Sequence, residues 1–392
     1  MIVSLLVAAL LSGPGLAGPW RGALDLAGAT LPFGIELTET ARGVSGRLCN
    51  GRACEPFSGV RVAGDSVTFE LADYAATIAA VRRGDSLVGI YRNVGNKGPR
   101  AIPFRASRGR WPAATAPAAL AGRWDAWFEG DFGSSPRVLV FEDGPAGLEG
   151  TVIGNTGDYG HFGGSVLGGS VALHRFDGSF VYMLTGQLSG DTLRGIFHAG
   201  LRGQTPFVAS RSRGGPHLTP PTELTTADSA PFRFAFPDLS GRVVRSDEAR
   251  FRGKVLLVDI FGTWCPTCHD AAPTLVSLYD SRQARGLEVV GLAFEVSGDP
   301  AVDGPLVARF RDKFGIRYPL LLAGVNDVES AAATLPQLAG FTAFPTTLFI
   351  GRDGRVRRVH AGFYGPATGA QHEALVRDFT RTVDALLAEP AP

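Results

Sequence analysis

The chain of 392 residues is short of cysteine, of net charge and of long apolar runs. Four cysteines are too few for the dense disulfide framework of a small secreted scaffold. They form two close pairs, Cys49 with Cys54 and Cys265 with Cys268. A tetrahedral metal site needs three or four ligands, yet there is no second CxxC and the seven histidines are scattered, so no metal is expected. Basic and acidic residues number 38 and 37, leaving a net charge of +1 without any basic stripe. That balance argues against nucleic acid as a partner. Beyond the first dozen residues no apolar segment reaches membrane-spanning length.

Glycine (52) and proline (26) are plentiful, which suits many strands and turns. The start, MIVSLLVAALLSGPGLAGPW, is a short apolar run followed by small residues. It reads as a secretory signal over residues 1–17, cut near Ala17, with an uncleaved N-terminal anchor as the alternative. Either way the protein is expected outside the cytoplasm, in the periplasm or cell envelope, where close cysteine pairs tend to oxidise.

Residues 18–213 contain an internal repeat. GDSLVGIYR at Gly84–Arg92 matches GDTLRGIFH at Gly190–His198, PFRASR at Pro103–Arg108 matches PFVASR at Pro206–Arg211, and Trp20 matches Trp124. The offset stays between 103 and 106 residues, so we read a duplicated unit, 18–110 and 111–213. Runs such as GIELTE, SVTFEL and RVLVFE alternate apolar and polar residues between glycine turns. Each unit is therefore expected to be all-β, with four to seven strands in a barrel or sandwich and its outer face solvated. Trp20, Trp124 and Trp127 are expected in the core. Residues 214–231, rich in Gly, Pro, Ser and Thr, read as a linker.

From residue 232 to 389 the pattern changes to buried strand runs (KVLLVDIF, LEVVGLAF, TTLFI) alternating with helical spacings, which predicts an α/β unit with a central sheet covered on both faces. Cys265 follows the first of these strands by four residues, and Cys268 should open the next helix. A helix N-terminus offers free N–H groups and the positive end of the dipole, which stabilise a thiolate. Cys265 is then the attacking sulfur and Cys268, three residues inward, the resolving one. Asp259 sits inside the otherwise apolar VLLVDIF, where burial should raise its pKa and suit it to accept a proton. Glu295 ends the next strand and is a second candidate base. Pro345 precedes a strand in AFPTTLFIGRDG and is a candidate for a cis bond beside the cysteines.

Taken together, GKVLLVDIFGTWCPTC and, about 80 residues later, FPTTLFIGRDGRV resemble the thioredoxin fold, and more closely the TlpA-like branch of exported thiol-disulfide oxidoreductases and redoxins. The resemblance implies that Pro345 is cis and that Asp259 matches the buried acid of thioredoxins. It further implies that Glu295 matches an acid of the cytochrome-c-maturation branch, and that Trp264, Pro266, Thr267, Phe344 and Pro345 shape a substrate groove. It implies a protein or small-molecule disulfide as substrate, no bound cofactor, and a membrane electron donor upstream. The Pro266–Thr267 pair between the cysteines and the bulky Phe344 depart from the commoner residues of this branch, and both positions tune potential and substrate choice. His269 either tunes a thiol or is a solvated helix residue.

Two other functions compete with this one. A peroxiredoxin-like peroxide reductase would want Thr or Ser three residues before Cys265, where Gly262 stands. A non-catalytic envelope binding protein would use the redox fold as a passive scaffold. Cys49 and Cys54, in CNGRAC, are expected to form a local structural disulfide, with a redox relay to the CxxC as the sharper alternative.

Overall fold

In the computed structural model the described residues are 15–390 except 27, 96–97, 114–118, 131–132, 146, 168–169, 201–202 and 215–216; most of the expected leader lies outside them. The duplicated region forms two nine-stranded antiparallel sheets, one per repeat. This exceeds the four to seven strands expected, because very short strands such as Gly157–Asp158 leave no periodic signal. Alternation sets the inner face: in Ser66–Leu71, Val67, Phe69 and Leu71 are buried while their neighbours are not. Gly84 and Gly190, equivalent turn residues of the two repeats, both have φ near +60°, which only glycine adopts without cost.

The repeats share their anchor. Trp20 pairs with Ile35 and Arg108, and Trp124 with Leu139 and Arg211. Each indole N–H donates to a carbonyl four residues back, Leu16 (2.9 Å) and Leu120 (2.7 Å), and each ring lies under its arginine. Leu16, on the leader side of the expected cut, is thus part of the first core, only 3% exposed. A cut after Ala17 would remove that plug. Trp127 departs from expectation: its position faces outward, 47% exposed, edge-on to His217.

The two sheets close differently. In the second, Gly147–Gly154 pairs both with Gly133–Gly144 and with Phe162–Leu167, completing a barrel. The first ends at Ala53–Pro56 on one side and Gly59–Ala63 on the other and stays open. Its core is completed by Phe176, Val181 and Met183 of the second repeat. Strand Gly147–Gly154 also overturns the expectation of a solvated outer face: all but its first residue are buried. The reason is packing, since Val138 and Ile153 belong to the same apolar cluster as Cys265 and Cys268.

The C-terminal unit has a five-stranded sheet: β1 (Val255–Phe261), β2 (Leu287–Glu295), β3 (Leu320–Val325), β4 (Thr346–Ile350) and β5 (Val356–Ala361). Their order is β3-β2-β1-β4-β5, with β1, β2 and β3 parallel and β4 and β5 antiparallel to their neighbours. Helices α1 (Pro266–Arg282), α2 (Pro300–Phe314), α3 (Val328–Thr334) and α4 (Ala370–Ala388) pack around it, giving an apolar cluster on each face. This is the thioredoxin arrangement. β1 and β2 are buried along their whole length, which explains their continuous apolar runs. The stretch read as a linker is more ordered than its composition suggested. Pro221–Leu224 is a short helix, and Thr226–Ala227 pairs with Leu338–Ala339. Two-residue strands are too short to leave a pattern in sequence.

Candidate active site

The loop after β1 brings Gly262–Thr263–Trp264 to the start of α1, where Cys265 is the N-cap and Pro266 the first helical residue. Cys265 Sγ accepts the Cys268 N–H at 3.3 Å and lies 3.5 Å from the carbonyl oxygen of Phe344 and 3.7 Å from Thr267 Oγ1. Cys265 and Cys268 are free thiols. Cys268 lies further in, 1% exposed, and its thiol is held well above its usual range by burial, then by the hydrogen bond and charge of Cys265 and the charge of Asp259. The Phe344–Pro345 bond is cis. Trp264 packs edge-on to Phe344 at 5.5 Å and donates its N–H to the Phe294 carbonyl. A side chain at Gly262 would collide with both Trp264 and that carbonyl, so the position has no room for the hydroxyl residue of a peroxidatic site.

Asp259 lies beneath the cysteines in the middle of β1. It is 4% exposed, and its Oδ1 has no hydrogen-bond partner among the described residues. Burial pushes its carboxyl up to about 7. Glu295 is engaged differently. Its two oxygens accept from Thr263 N (2.8 Å) and Thr263 Oγ1 (2.7 Å), pinning the loop two residues before Cys265. Burial raises Glu295 to about 7 against those hydrogen bonds. Thr263 itself carried no signal in the sequence. His269 corrects the reading of a solvated or charged residue. Its ring is wedged among Tyr74, Phe310 and Phe314, with Nε2 2.8 Å from the Thr263 carbonyl. Burial, then the charge of Lys313, lowers it to about 4, so it is neutral at pH 7 and brings no positive charge to the thiols.

Cys265 is only 4% exposed, and its cover comes from the second β-unit. Gly157 bridges to Phe363, whose N–H donates to the Thr156 carbonyl at 3.1 Å; Asp158 accepts from Gly365 N; and Ser179 Oγ donates to the Trp264 carbonyl at 3.3 Å. Gly157, at φ +134°, meets the Phe363 carbonyl so closely that a Cβ would sit 2.3 Å from it. The first β-unit adds an Asp73–Lys313 ion pair at 2.6 Å. Between the second β-unit and the thiol remains a cavity of about 400 Å³. Trp264, Cys265, Pro266, Thr267 and Phe344 line it on the redox side, and Arg137, Tyr159, Arg175 and Tyr182 on the other. The opposing residues could not be found from sequence, because their place depends on how the units dock.

Cys49 and Cys54 are elsewhere, disulfide-bonded across an antiparallel pair in the first β-unit. The adjacent Asn50 clamps this hairpin to Phe176 through both of that residue's backbone groups. Replacing both cysteines with alanine should lower unfolding stability by about 2 kcal/mol, as expected for so short a loop. Disulfide-exchange rates should stay within twofold. Denaturant unfolding and kinetics on one preparation check this, and a tenfold loss of rate would instead favour a relay.

Over residues 225–372 the chain matches the Redoxin family. The thiol-disulfide oxidoreductase ResA of Geobacillus thermodenitrificans is 31% identical over 145 residues, 37% of this chain and 74% of the relative. ResA of Halalkalibacterium halodurans is 26% identical over 161 residues, 41% of this chain and 78% of the relative. A solved thioredoxin-family thiol:disulfide interchange protein from Chlorobium tepidum TLS covers 42% of this chain and 99% of its own, at 25% identity and a TM-score of 0.32. The family match leaves the duplicated β-region outside it.

Proposed function

The chain belongs to the redoxin family, among the thiol-disulfide oxidoreductases, and from that premise we propose that it reduces disulfides through Cys265 and Cys268. The Cys265 thiolate attacks one sulfur of the substrate, forming a mixed disulfide and releasing the first thiolate. Cys268, losing its proton to Asp259, attacks Cys265 Sγ. The second thiolate leaves, and the Cys265–Cys268 disulfide keeps two electrons fewer. An external dithiol donor restores the pair. Glu295 acts as a positioning residue by holding Thr263, and Phe344 with the cis Pro345 forms one wall of the substrate site. The observation that carries this reading is a buried carboxyl without a partner behind two free thiols at a helix start.

Export and a membrane-held donor fit this chemistry. A leader is supported by the apolar start; among the described residues no helix is long and apolar enough to cross a membrane. The packing of Leu16 favours a cut before that residue. Trapping the thiols of Cys265 and Cys268 in intact cells tests the direction of transfer. A mostly reduced pair is expected for a reductase, and a mostly oxidised pair would reverse the direction proposed.

A further inference from the structure

The cover over Cys265 bears on what can reach it. In thiol-disulfide exchange the three sulfurs must come into line, so the substrate has to enter the space in front of Cys265 Sγ. That space is the 400 Å³ cavity, a size ordinary for a small-molecule site. Its far wall is a barrel held on the redox unit by backbone contacts at Thr156 and Gly157, and the shared apolar cluster runs behind it. An extended protein strand laid along Phe344 would have to pass through that wall.

The charges of the cavity are unevenly committed. Arg175 is ion-paired with Asp177 at 3.3 Å. Asp158 accepts from the Gly160 and Gly365 N–H groups, and burial, then the charge of Asp158, pushes the Asp270 carboxyl lining the same cavity up to about 7. Arg137 differs. Its Nε donates to the Tyr159 hydroxyl (3.2 Å) and its Nη1 to the Pro136 carbonyl (2.7 Å), while its guanidinium lies over the Phe128 ring at 5.8 Å. Among the described residues no carboxylate pairs with it. A half-buried guanidinium facing a cavity, held by two neutral acceptors and with donors to spare, is suited to a carboxylate. The aromatic wall of Tyr159, Phe180 and Tyr182, with Tyr159 and Tyr182 5.1 Å apart and Phe180 and Tyr182 5.4 Å apart, suits the short apolar arm that joins such a carboxylate to a sulfur.

We propose that the substrate of this site is a low-molecular-weight disulfide bearing a carboxylate, which places its sulfur at Cys265 and its carboxylate on Arg137. This rests on the exchange chemistry proposed above and narrows its substrate class. The second β-unit thereby supplies half of the active site. Asp158 stands at the position where the first repeat carries Cys54, so the hairpin stapled by a disulfide in one copy lines the substrate cavity in the other.

The test is single-turnover oxidation of the pre-reduced, full-length protein by four disulfides: 3,3′-dithiodipropionate, neutral 2-hydroxyethyl disulfide, cationic cystamine and insulin. Dithiodipropionate should react at least about tenfold faster than cystamine, and insulin slowest. Arg137→Gln should cut the dithiodipropionate rate about tenfold and leave 2-hydroxyethyl disulfide within twofold, and Arg137→Lys should restore much of the preference. Equal rates for the three small disulfides, insulin reacting as fast as they do, or an equal loss on all of them in Arg137→Gln would overturn the proposal and leave the exchange reading intact. Unchanged rates in Cys265→Ser would instead remove the exchange reading itself.

Discussion

Substituting Cys265 with serine should lower disulfide exchange by roughly 10³-fold or more while the protein stays folded. A serine oxygen is a poor nucleophile toward sulfur and is protonated at neutral pH. Cys268 cannot take over, because it is 1% exposed, lies behind position 265, and holds its proton well above the ordinary thiol range. Stability should hardly change. Position 265 is the N-cap of α1 and accepts the Cys268 N–H, a role serine fills well. Circular dichroism and exchange kinetics on the variant separate the two effects. Residual activity within tenfold of the parent would mean that the chemistry lies elsewhere.

Asp259→Asn should slow exchange about 10²-fold above pH 7 and make the protein more stable there. The kinetic part follows from the resolving step, since Cys268 needs a base and Asp259 is the buried carboxyl whose charge it feels. The parent rate should climb as Asp259 ionises around pH 7, and the variant should lose that limb. The stability part has the opposite sign. Burial raises the folded pKa to about 7, above an unfolded value near 3.9. Below pH 3.9 both states hold the proton, and Asp259 costs little. As pH rises to 7 the unfolded chain ionises first, so folding is progressively penalised, by about 4 kcal/mol once the folded group is charged too. Asparagine escapes that penalty, so the variant should gain about 2–4 kcal/mol at pH 8 and little at pH 3. Urea unfolding at the two pH values measures this. A slower variant that is also less stable at pH 8 would point to a structural role for Asp259.

The α/β unit was legible because its signals are local. Continuous apolar runs belong to strands buried on both faces, CxxC follows one of them by the length of a loop, and a single acid interrupts β1. The duplication was legible for a similar reason: Trp20 and Trp124 sit in the same register of two related sheets. What the sequence hid is long-range. Whether a sheet closes depends on the pairing of Gly147–Gly154 with Phe162–Leu167, whose counterparts in the first copy, Gly43–Asn50 and Gly59–Ala63, do not pair. The docking of Gly157 on Phe363 joins residues some 200 positions apart. Hence the burial of Cys265, the neutral state of His269 and the face of Arg137 could not be read from periodicity. Glu295 lies between these cases. Its place at the end of β2 was readable, but its engagement by Thr263 depends on a loop with no repeating pattern.

Mass spectrometry of the Cys268→Ser protein after brief exposure to a disulfide tests the central claim most directly. With the resolving thiol gone, the account predicts one stable adduct, mapped to Cys265 and absent from the Cys265→Ser protein. An adduct at position 268 in the Cys265→Ser protein with none at Cys265 in the Cys268→Ser protein would contradict it.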